Sequence, residues 1–271
     1  MRMKSIFLAA LMVMAFSMTA SAATSMSVNG STTVLPIMQM AVEAYMKANP
    51  DVSISVSGGG SGNGIKSIID GTTDIAMASR FMKNSEVKQA AEKGVYPVPF
   101  AVGIDALVPI VHPSNGISGL TGAQLKDIYM GKVTNWKDVG GDDKPIVVIS
   151  RDTSSGTYET WEGKIMNKER VFAGALLQAS NGAVVQAVSK NKYAIGYIGY
   201  GYLDKSTKAL TVDGIEGNPE TASSGKYPVS RFLYVFTNNW PTGETAKFIM
   251  YLINPKQGQV HAKAAGYVPL Y

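Results

Sequence analysis

Hydrophobic and polar positions alternate along the chain with two periods, one typical of helices and the other of strands. Apolar residues recur at helical spacing in "VLPIMQMAVEAYMKA", whereas "VSISVS" alternates residue by residue. Further runs that predict strands are "TDIAMAS", "PVPFAVGIDALVPIV", "KPIVVIS" and "YPVSRFLYVFTN", and further helical patterns are "TGAQLKDIYMGK", "GTYETWEGKIM" and "GETAKFIMYLI". Strands and helices that follow one another in this way predict an α/β fold.

One local pattern occurs three times: a strand, then a cluster of serine, threonine or glycine, then a helix. The three copies are "VNGSTTVLP", "VSGGGSGNGIK" and "VVISRDTSSGTYE". Each copy leaves free backbone N–H groups and the positive end of a helix dipole beside hydroxyl groups. A single copy is typical of ordinary helix capping, but three copies that converge would bind an oxyanion.

Arg151 lies within the third copy of this pattern. It could hold an anion with a bidentate, charge-assisted clamp, and we then expect it to be exposed in an open cleft. The alternative is an ordinary surface salt bridge to Asp152 or Glu159.

The first 23 residues have the features of a cleaved secretory signal. Arg2 and Lys4 precede the apolar run "SIFLAALMVMAF", which is too short to span a bilayer, and "ASA" at 20–22 offers small residues for cleavage. A buried hydrophobic helix is the alternative.

The chain has no cysteine, so it has neither disulfides nor the lipid-attachment cysteine of an exported lipoprotein. We therefore expect a periplasmic protein without a lipid anchor.

Charge and motif content exclude several classes of function. Removal of Arg2 and Lys4 would lower the formal net charge from +5 to +3 without leaving a basic run, so we expect no nucleic-acid partner. A serine-dependent phosphatase that uses "SSGT" stays open as an alternative. However, His112 and His261 lie outside the three loops, and neither GxSxG nor HExxH occurs. We expect no catalytic residues, no metal site and no cofactor.

The chain resembles the periplasmic phosphate-binding proteins of high-affinity phosphate ABC transporters, in their shorter form. The segments that carry the resemblance follow the family's order and include "GSTTVLPIMQMAVEAY", "GGGSGNGIKSIIDGTTDIAMASR", "LTGAQLKDIYMGKVTNWKDVGG", "SRDTSSGTYETW", "AIGYIGYGYL" and "YPVSRFLYVFTN". The resemblance implies a two-lobed α/β binding protein of type II, with two crossing strands and a ligand cleft between the lobes. Lobe I would comprise 24–104 and 226–271, and lobe II 105–225, with crossings near 103–111 and 226–234.

The resemblance also implies which residues hold the anion. The family's first loop matches Ser31, Thr32 and Thr33, its second matches Ser61, and its third matches Arg151, Ser155, Gly156 and Thr157. Hydroxyls and amides would face the ligand, the arginine would clamp it, and a side chain at Gly156 could block the close approach of the backbone.

Two positions depart from the family pattern. Ser79 and Thr153 stand where well-known members have aspartates, one of which accepts a phosphate proton and the other of which braces the arginine. The Ser79 hydroxyl or the Asp105 carboxylate could replace that acceptor, although Asp105 could equally serve a hinge or a cap. A site made only of donors would suit sulfate, so sulfate, molybdate and tungstate stay open as alternative ligands.

The function that the resemblance implies is capture of inorganic phosphate and its delivery to the membrane permease of an ABC transporter. We expect a monomer that performs no chemistry on its ligand. Closure would bring the loop of Ser31 and the loop of Ser61 against the loop of Arg151.

Overall fold

The computed structural model describes residues 24–271. The predicted signal at 1–23 lies outside the described residues. The strands are β1 Thr24–Gly30, β2 Val52–Gly58, β3 Ile75–Ala78, β4 Pro97–Val111, β5 Gly119–Leu120, β6 Val147–Arg151, β7 Leu176–Gln178, β8 Ala194–Gly199, β9 Lys208–Ala209, β10 Thr211–Val212 and β11 Ser230–Asn238. The helices are α1 Leu35–Ala48, α2 Ser61–Ile69, α3 Asn84–Glu92, α4 Gly122–Tyr129, α5 Gly156–Lys164, α6 Asn181–Ser189, α7 Pro219–Ser223, α8 Gly243–Ile253 and α9 Gly258–Ala264.

The predicted elements form where the hydrophobic pattern places them. In α1 the buried residues include Ile37, Met38 and Tyr45, which recur at the spacing of one helical face. Helix α4 begins after Thr121, whose hydroxyl accepts a hydrogen bond from the Gln124 amide at 3.1 Å. None of the helices within 24–271 is both long and apolar enough to cross a bilayer.

Nine of the strands form one continuous sheet in the order β2-β1-β3-β11-β4-β8-β6-β7, with β9 beside β4, and β5 and β10 pair as a separate two-stranded sheet. The pairs β1–β2, β1–β3, β6–β7 and β6–β8 are parallel, whereas β11 is antiparallel to both β3 and β4, and β4 to β8. Strand β4 pairs with β11 over 97–106 and with β8 over 107–111. It therefore crosses from one half of the sheet to the other.

The long apolar run predicted to be extended is the 15-residue strand β4, which contains the predicted first crossing. The return strand β11 begins at Ser230, later than the predicted start of the second crossing at 226. A turn occupies 228–229 instead. Pro228 lies in that turn, where its missing backbone N–H costs no ladder hydrogen bond.

Buried apolar side chains form two large cores. One core draws its buried residues from 106–229 and includes Trp136, Trp161 and Tyr197. The other draws on 26–102 and 233–267, and a smaller cluster packs beside it under α2 and α3. Two predicted lobes would produce such a partition of apolar side chains, whereas the exact lobe boundaries stay a prediction.

Candidate functional site

The three loops of the repeated pattern meet in space. They follow β1, β2 and β6, so each leaves its strand at the carboxyl end, where open α/β sheets bind ligands. The Thr33 and Thr157 hydroxyl oxygens lie 3.0 Å apart, and the Gly62 amide donates to the Ser154 carbonyl at 2.8 Å. Other predicted site residues are buried around these contacts: Ser31, Thr32, Ser61, Ser79, Asp105, Arg151, Ser155 and Gly156.

Ordinary capping accounts for two of the three helix starts. The Ser155 hydroxyl caps α5 by accepting from the Tyr158 amide at 3.3 Å. The Ser31 hydroxyl caps the turn before α1 by accepting from the Thr33 amide at 3.2 Å and from the Val34 amide at 3.4 Å. Helix α2 has no side-chain cap, and at its start the Ser61 hydroxyl accepts from the Ser79 amide at 3.0 Å. The N-terminus of α2 therefore keeps N–H groups without a side-chain cap, which are suited to an anion.

Gly156 lies where the two sides of the site touch. A Cβ atom built on Gly156 would lie 2.3 Å from the Ser61 hydroxyl oxygen and 2.8 Å from that of Ser79. These separations are far below van der Waals contact, so only a glycine fits between the third loop and the other two. This close approach is between two parts of the protein, and the expected approach of the Gly156 backbone to an anion stays a prediction.

Arg151 lies at the end of β6 with 1% of its surface exposed, so the expectation of an arginine exposed in an open cleft is wrong for this structure. Its Nε donates to the Gln178 carbonyl at 2.9 Å and its Nη2 to the Ala179 carbonyl at 3.0 Å. Its buried Nη1 has no hydrogen-bond partner within 24–271. Burial lowers the pKa of the guanidinium below its ordinary value. The group can still donate to an anion.

The alternative surface salt bridge of Arg151 does not form. Glu159 instead pairs with Arg80 and, at 3.1 Å, with Lys83. The Asp152 carboxylate accepts from the Ser154 amide at 2.9 Å. Arg80 lies just after β3, which pairs with β1, so its pairing with Glu159 of α5 joins the two sides of the site.

Asp105 lies on β4 directly opposite Arg231 on β11. Its Oδ2 accepts from Arg231 Nη2 at 2.8 Å and from Arg231 Nε at 3.0 Å, and its Oδ1 accepts from the Tyr200 amide at 3.0 Å. Burial raises the pKa of the Asp105 carboxyl, and Arg231 opposes that rise. Because both oxygens have partners on the crossing strands and beside them, the geometry favours the hinge role of Asp105 over the role of ligand-proton acceptor.

Two buried polar residues of the site were missed by the sequence reasoning. Arg231 Nη2 donates to the Thr157 hydroxyl at 3.1 Å and to the Thr33 hydroxyl at 3.3 Å. The Asn181 amide nitrogen donates to the Thr33 hydroxyl at 3.0 Å and to the Thr32 hydroxyl at 3.1 Å. Both side chains therefore contact the first loop.

Each missed residue had a sequence signal. Arg231 is a lone charge in the apolar run "SRFLYVF". Asn181 begins α6 after "LLQAS", a fourth copy of the strand, hydroxyl and helix pattern, in which Ser180 caps the helix by accepting from the Ala183 amide at 3.1 Å. Among the residues described, no group of three or more histidine, aspartate or glutamate side chains is placed to hold a metal ion.

Comparisons with known proteins all indicate the same family. The model of the PBP superfamily domain matches residues 17–256. The phosphate-binding protein PstS of Staphylococcus epidermidis is 34% identical over 256 residues, which cover 88% of this chain and 77% of the relative. PstS of Pseudomonas aeruginosa is 33% identical, with 89% of this chain and 81% of the relative covered.

Solved structures agree in fold and in sequence. A Clostridium perfringens protein with bound phosphate, described as a phosphate ABC transporter substrate-binding protein, superposes with a TM-score of 0.85. It is 36% identical, and the match covers 91% of this chain and 100% of that one. An ABC-type phosphate transport receptor from Vibrio cholerae has a TM-score of 0.74 at 32% identity, with 90% and 99% covered. The chain therefore belongs to the PBP superfamily, in the family of the phosphate-binding proteins PstS.

Proposed function

We propose that this protein is an extracytoplasmic solute-binding protein that captures inorganic phosphate and delivers it to the permease of an ABC importer. The observation that carries the proposal is the convergence of hydroxyls from separate loops, and of the uncapped N-terminus of α2, near Arg151, whose buried Nη1 has no partner within 24–271. The names of the relatives and the phosphate in the Clostridium perfringens structure support the choice of ligand.

In this proposal the loops replace the hydration shell of a tetrahedral anion. The donors are hydroxyls and amides of Ser31, Thr32, Thr33, Ser61, Ser155, Gly156 and Thr157, together with the guanidinium of Arg151. A helix terminus contributes ~0.3–2 kcal/mol, whereas a micromolar ligand needs about 8 kcal/mol. Tight binding therefore also requires charge-assisted hydrogen bonds to the anion, which contribute roughly 1.5–3 kcal/mol each.

Closure of the two sides of the site would be coupled to capture of the anion. The loops after β1 and β2 face the loop after β6 across the Thr33–Thr157 contact and the Gly62–Ser154 hydrogen bond. An anion bound between them would contact both sides at once and so favour the closed arrangement. The proposed lobes are 24–104 with 226–271, and 105–225.

Export and assembly are part of the same proposal. The predicted signal at 1–23 would direct the chain to the periplasm, where it would act as a monomer without a lipid anchor. We propose no nucleic-acid partner.

A hydrolytic role has no support in the site. The chain belongs to a family of binding proteins rather than enzymes. The Ser155 hydroxyl accepts from the Tyr158 amide, while His112 contacts Ser114 and His261 contacts Tyr251, each at 2.8 Å. Neither imidazole is a hydrogen-bond partner of the serine that a phosphatase would need to activate.

Calorimetry on the ligand-stripped mature protein tests the proposed function. We expect phosphate and arsenate to bind, because both are tetrahedral anions that keep a proton near neutral pH, and sulfate, molybdate and tungstate to bind more weakly. Phosphate should also raise the melting temperature, since a ligand that binds only the folded state stabilises it. Tighter binding of sulfate or molybdate than of phosphate would assign the site to another oxyanion.

A second prediction concerns the group that accepts the ligand's proton. The Ser79 hydroxyl oxygen lies 3.3 Å from that of Ser61, at the edge of the loop cluster. Ser79→Ala should reduce the ratio of phosphate affinity to sulfate affinity, because a hydroxyl oxygen can accept a hydrogen bond from protonated phosphate and a methyl group cannot. Competition calorimetry with both anions gives this ratio.

The exposed Ser223 of α7 provides the matched control, and Ser223→Ala should leave the ratio unchanged. Asp105→Asn, measured in parallel, would lower the ratio if the carboxylate were the acceptor. An unchanged ratio in Ser79→Ala would remove Ser79 from this role.

A further inference from the structure

The two crossing strands contribute a cation to the loop cluster. Arg231 lies on β11, and the Arg231 residue is 8% exposed. We propose that Arg231 is a second ligand-binding arginine of this site, which donates directly to the captured anion. The inference rests on the proposed function and adds a residue that neither the loop pattern nor the resemblance indicated.

The position of the guanidinium carries the proposal. Its Nη2 lies 3.1 Å from the Thr157 hydroxyl oxygen and 3.3 Å from that of Thr33, and these two oxygens are 3.0 Å from each other. Its Nη1 donates to the Gly156 carbonyl at 3.2 Å and to the Thr160 hydroxyl at 3.3 Å. The guanidinium therefore borders the point where the first and third loops meet.

The hydrogen bonds of this guanidinium leave donor capacity for an anion. Nε and Nη2 both donate to Asp105 Oδ2, which orients the planar group, and the Tyr200 amide fixes the other carboxylate oxygen. The second hydrogen of Nη2 is shared between the Thr33 and Thr157 hydroxyls. Both hydroxyls can accept from other donors or rotate, so an anion oxygen beside them can take this hydrogen.

The balance of buried charge favours an anion at this site. The charged side chains buried next to the loops are Arg151, Arg231 and Asp105. Arg231 and Asp105 neutralise each other, so Arg151 leaves one net positive charge in a buried environment. Uncompensated buried charge is costly, and an oxyanion supplies the missing negative charge. Loss of Arg231 alone would leave Arg151 and Asp105 to cancel, whereas joint loss of Arg231 and Asp105 would keep the net positive charge of Arg151, so weakened binding in that double variant would report the loss of a direct donor.

The competing explanation is that Arg231 is only the counterion of Asp105. In that case the loss of Arg231 harms the protein because it leaves a buried, unpaired carboxylate. Removal of both charges would then restore normal behaviour. The double variant Arg231→Gln/Asp105→Asn therefore separates the two explanations, because it keeps hydrogen-bonding side chains on both strands and creates no new unpaired buried charge.

The experiment measures the Kd of inorganic phosphate by calorimetry, together with the melting temperature without phosphate. Arg231→Gln should weaken phosphate binding by roughly ten- to a hundredfold, the range expected for a lost charge-assisted bond. Arg231→Lys should give an intermediate Kd, because it keeps the charge but not the planar fork. Arg170→Gln is the matched control, since Arg170 is exposed on the loop between α5 and β7, and it should leave Kd unchanged.

The double variant decides the outcome. We expect it to recover the melting temperature lost in Arg231→Gln but to keep the weakened phosphate binding. If the double variant binds phosphate as tightly as the wild type, Arg231 is only a counterion and the inference is overturned. Failure of the wild-type protein to bind phosphate would instead overturn the proposed function, so the two failures are distinguishable.

Discussion

Gly156→Ala should abolish tight phosphate binding while the chain still folds. The added methyl carbon would lie 2.3 Å from the Ser61 hydroxyl oxygen and 2.9 Å from the Ser61 Cβ. Gly156 is not among the positive-φ glycines, so alanine itself fits the backbone at the start of α5. The clash therefore acts only where the two sides of the site meet, and it is relieved when they move apart.

The expected loss is about a hundredfold or more in phosphate affinity. The added methyl group makes closure of the site less favourable by about 1–3 kcal/mol, the usual cost of overpacking. When closure is incomplete, the anion also loses its contacts with one side of the site, which lowers the affinity further. Calorimetry gives the affinity, and circular dichroism together with thermal unfolding verifies the fold.

Gly163 offers the matched control for this substitution. It lies in the same helix α5, and a Cβ built on it would meet nothing within 4 Å. Gly163→Ala should bind phosphate normally and should be slightly more stable, because alanine has a higher helix propensity than glycine. Wild-type affinity in Gly156→Ala would show that the close approach at this glycine is not needed for capture.

Arg151→Ala should weaken phosphate binding by tens of fold or more and should also destabilise the protein. The binding loss follows from removal of the buried Nη1 donor. The stability loss follows because the Gln178 and Ala179 carbonyls would each lose a charged donor. A buried acceptor left without its partner costs about 1–3 kcal/mol.

Calorimetry and chemical denaturation separate the two effects of this substitution. Arg151→Lys should keep a positive charge but not the fork of donors, so we expect it to recover only part of the affinity and of the stability. The exposed Arg170→Gln again controls for the change in net charge. Normal phosphate binding in a folded Arg151→Ala protein would show that the anion is held elsewhere.

The loops of the site were predictable because their signal is local. The clusters at Ser31, Ser61 and Ser155 each lie between an apolar strand and an amphipathic helix, and a short stretch of sequence contains all three parts. Parallel strands then bring their carboxyl ends to one edge of the sheet, so the convergence follows from the fold class.

The missing parts of the site depend on contacts between distant segments. Arg231 meets Asp105 only because the register of β4 and β11 places them opposite each other, across 126 positions of sequence. The contact of Asn181 with Thr33 spans 148 positions. The burial of Arg151 depends on carbonyls 27 and 28 residues away. No local pattern contains such pairs, which explains why Arg231 and Asn181 were missed and why Arg151 was expected to be exposed.

Strand β4 also shapes how the molecule unfolds. Its first part lies in the core that contains Val102, and its last part supplies Leu107, Val108 and Ile110 to the other core, without a flexible linker between them. Loss of either core removes the packing that holds one end of this strand, and β11 loses its ladder partner at the same time. The two halves therefore melt cooperatively, and a partly unfolded chain with one intact half has little stability of its own.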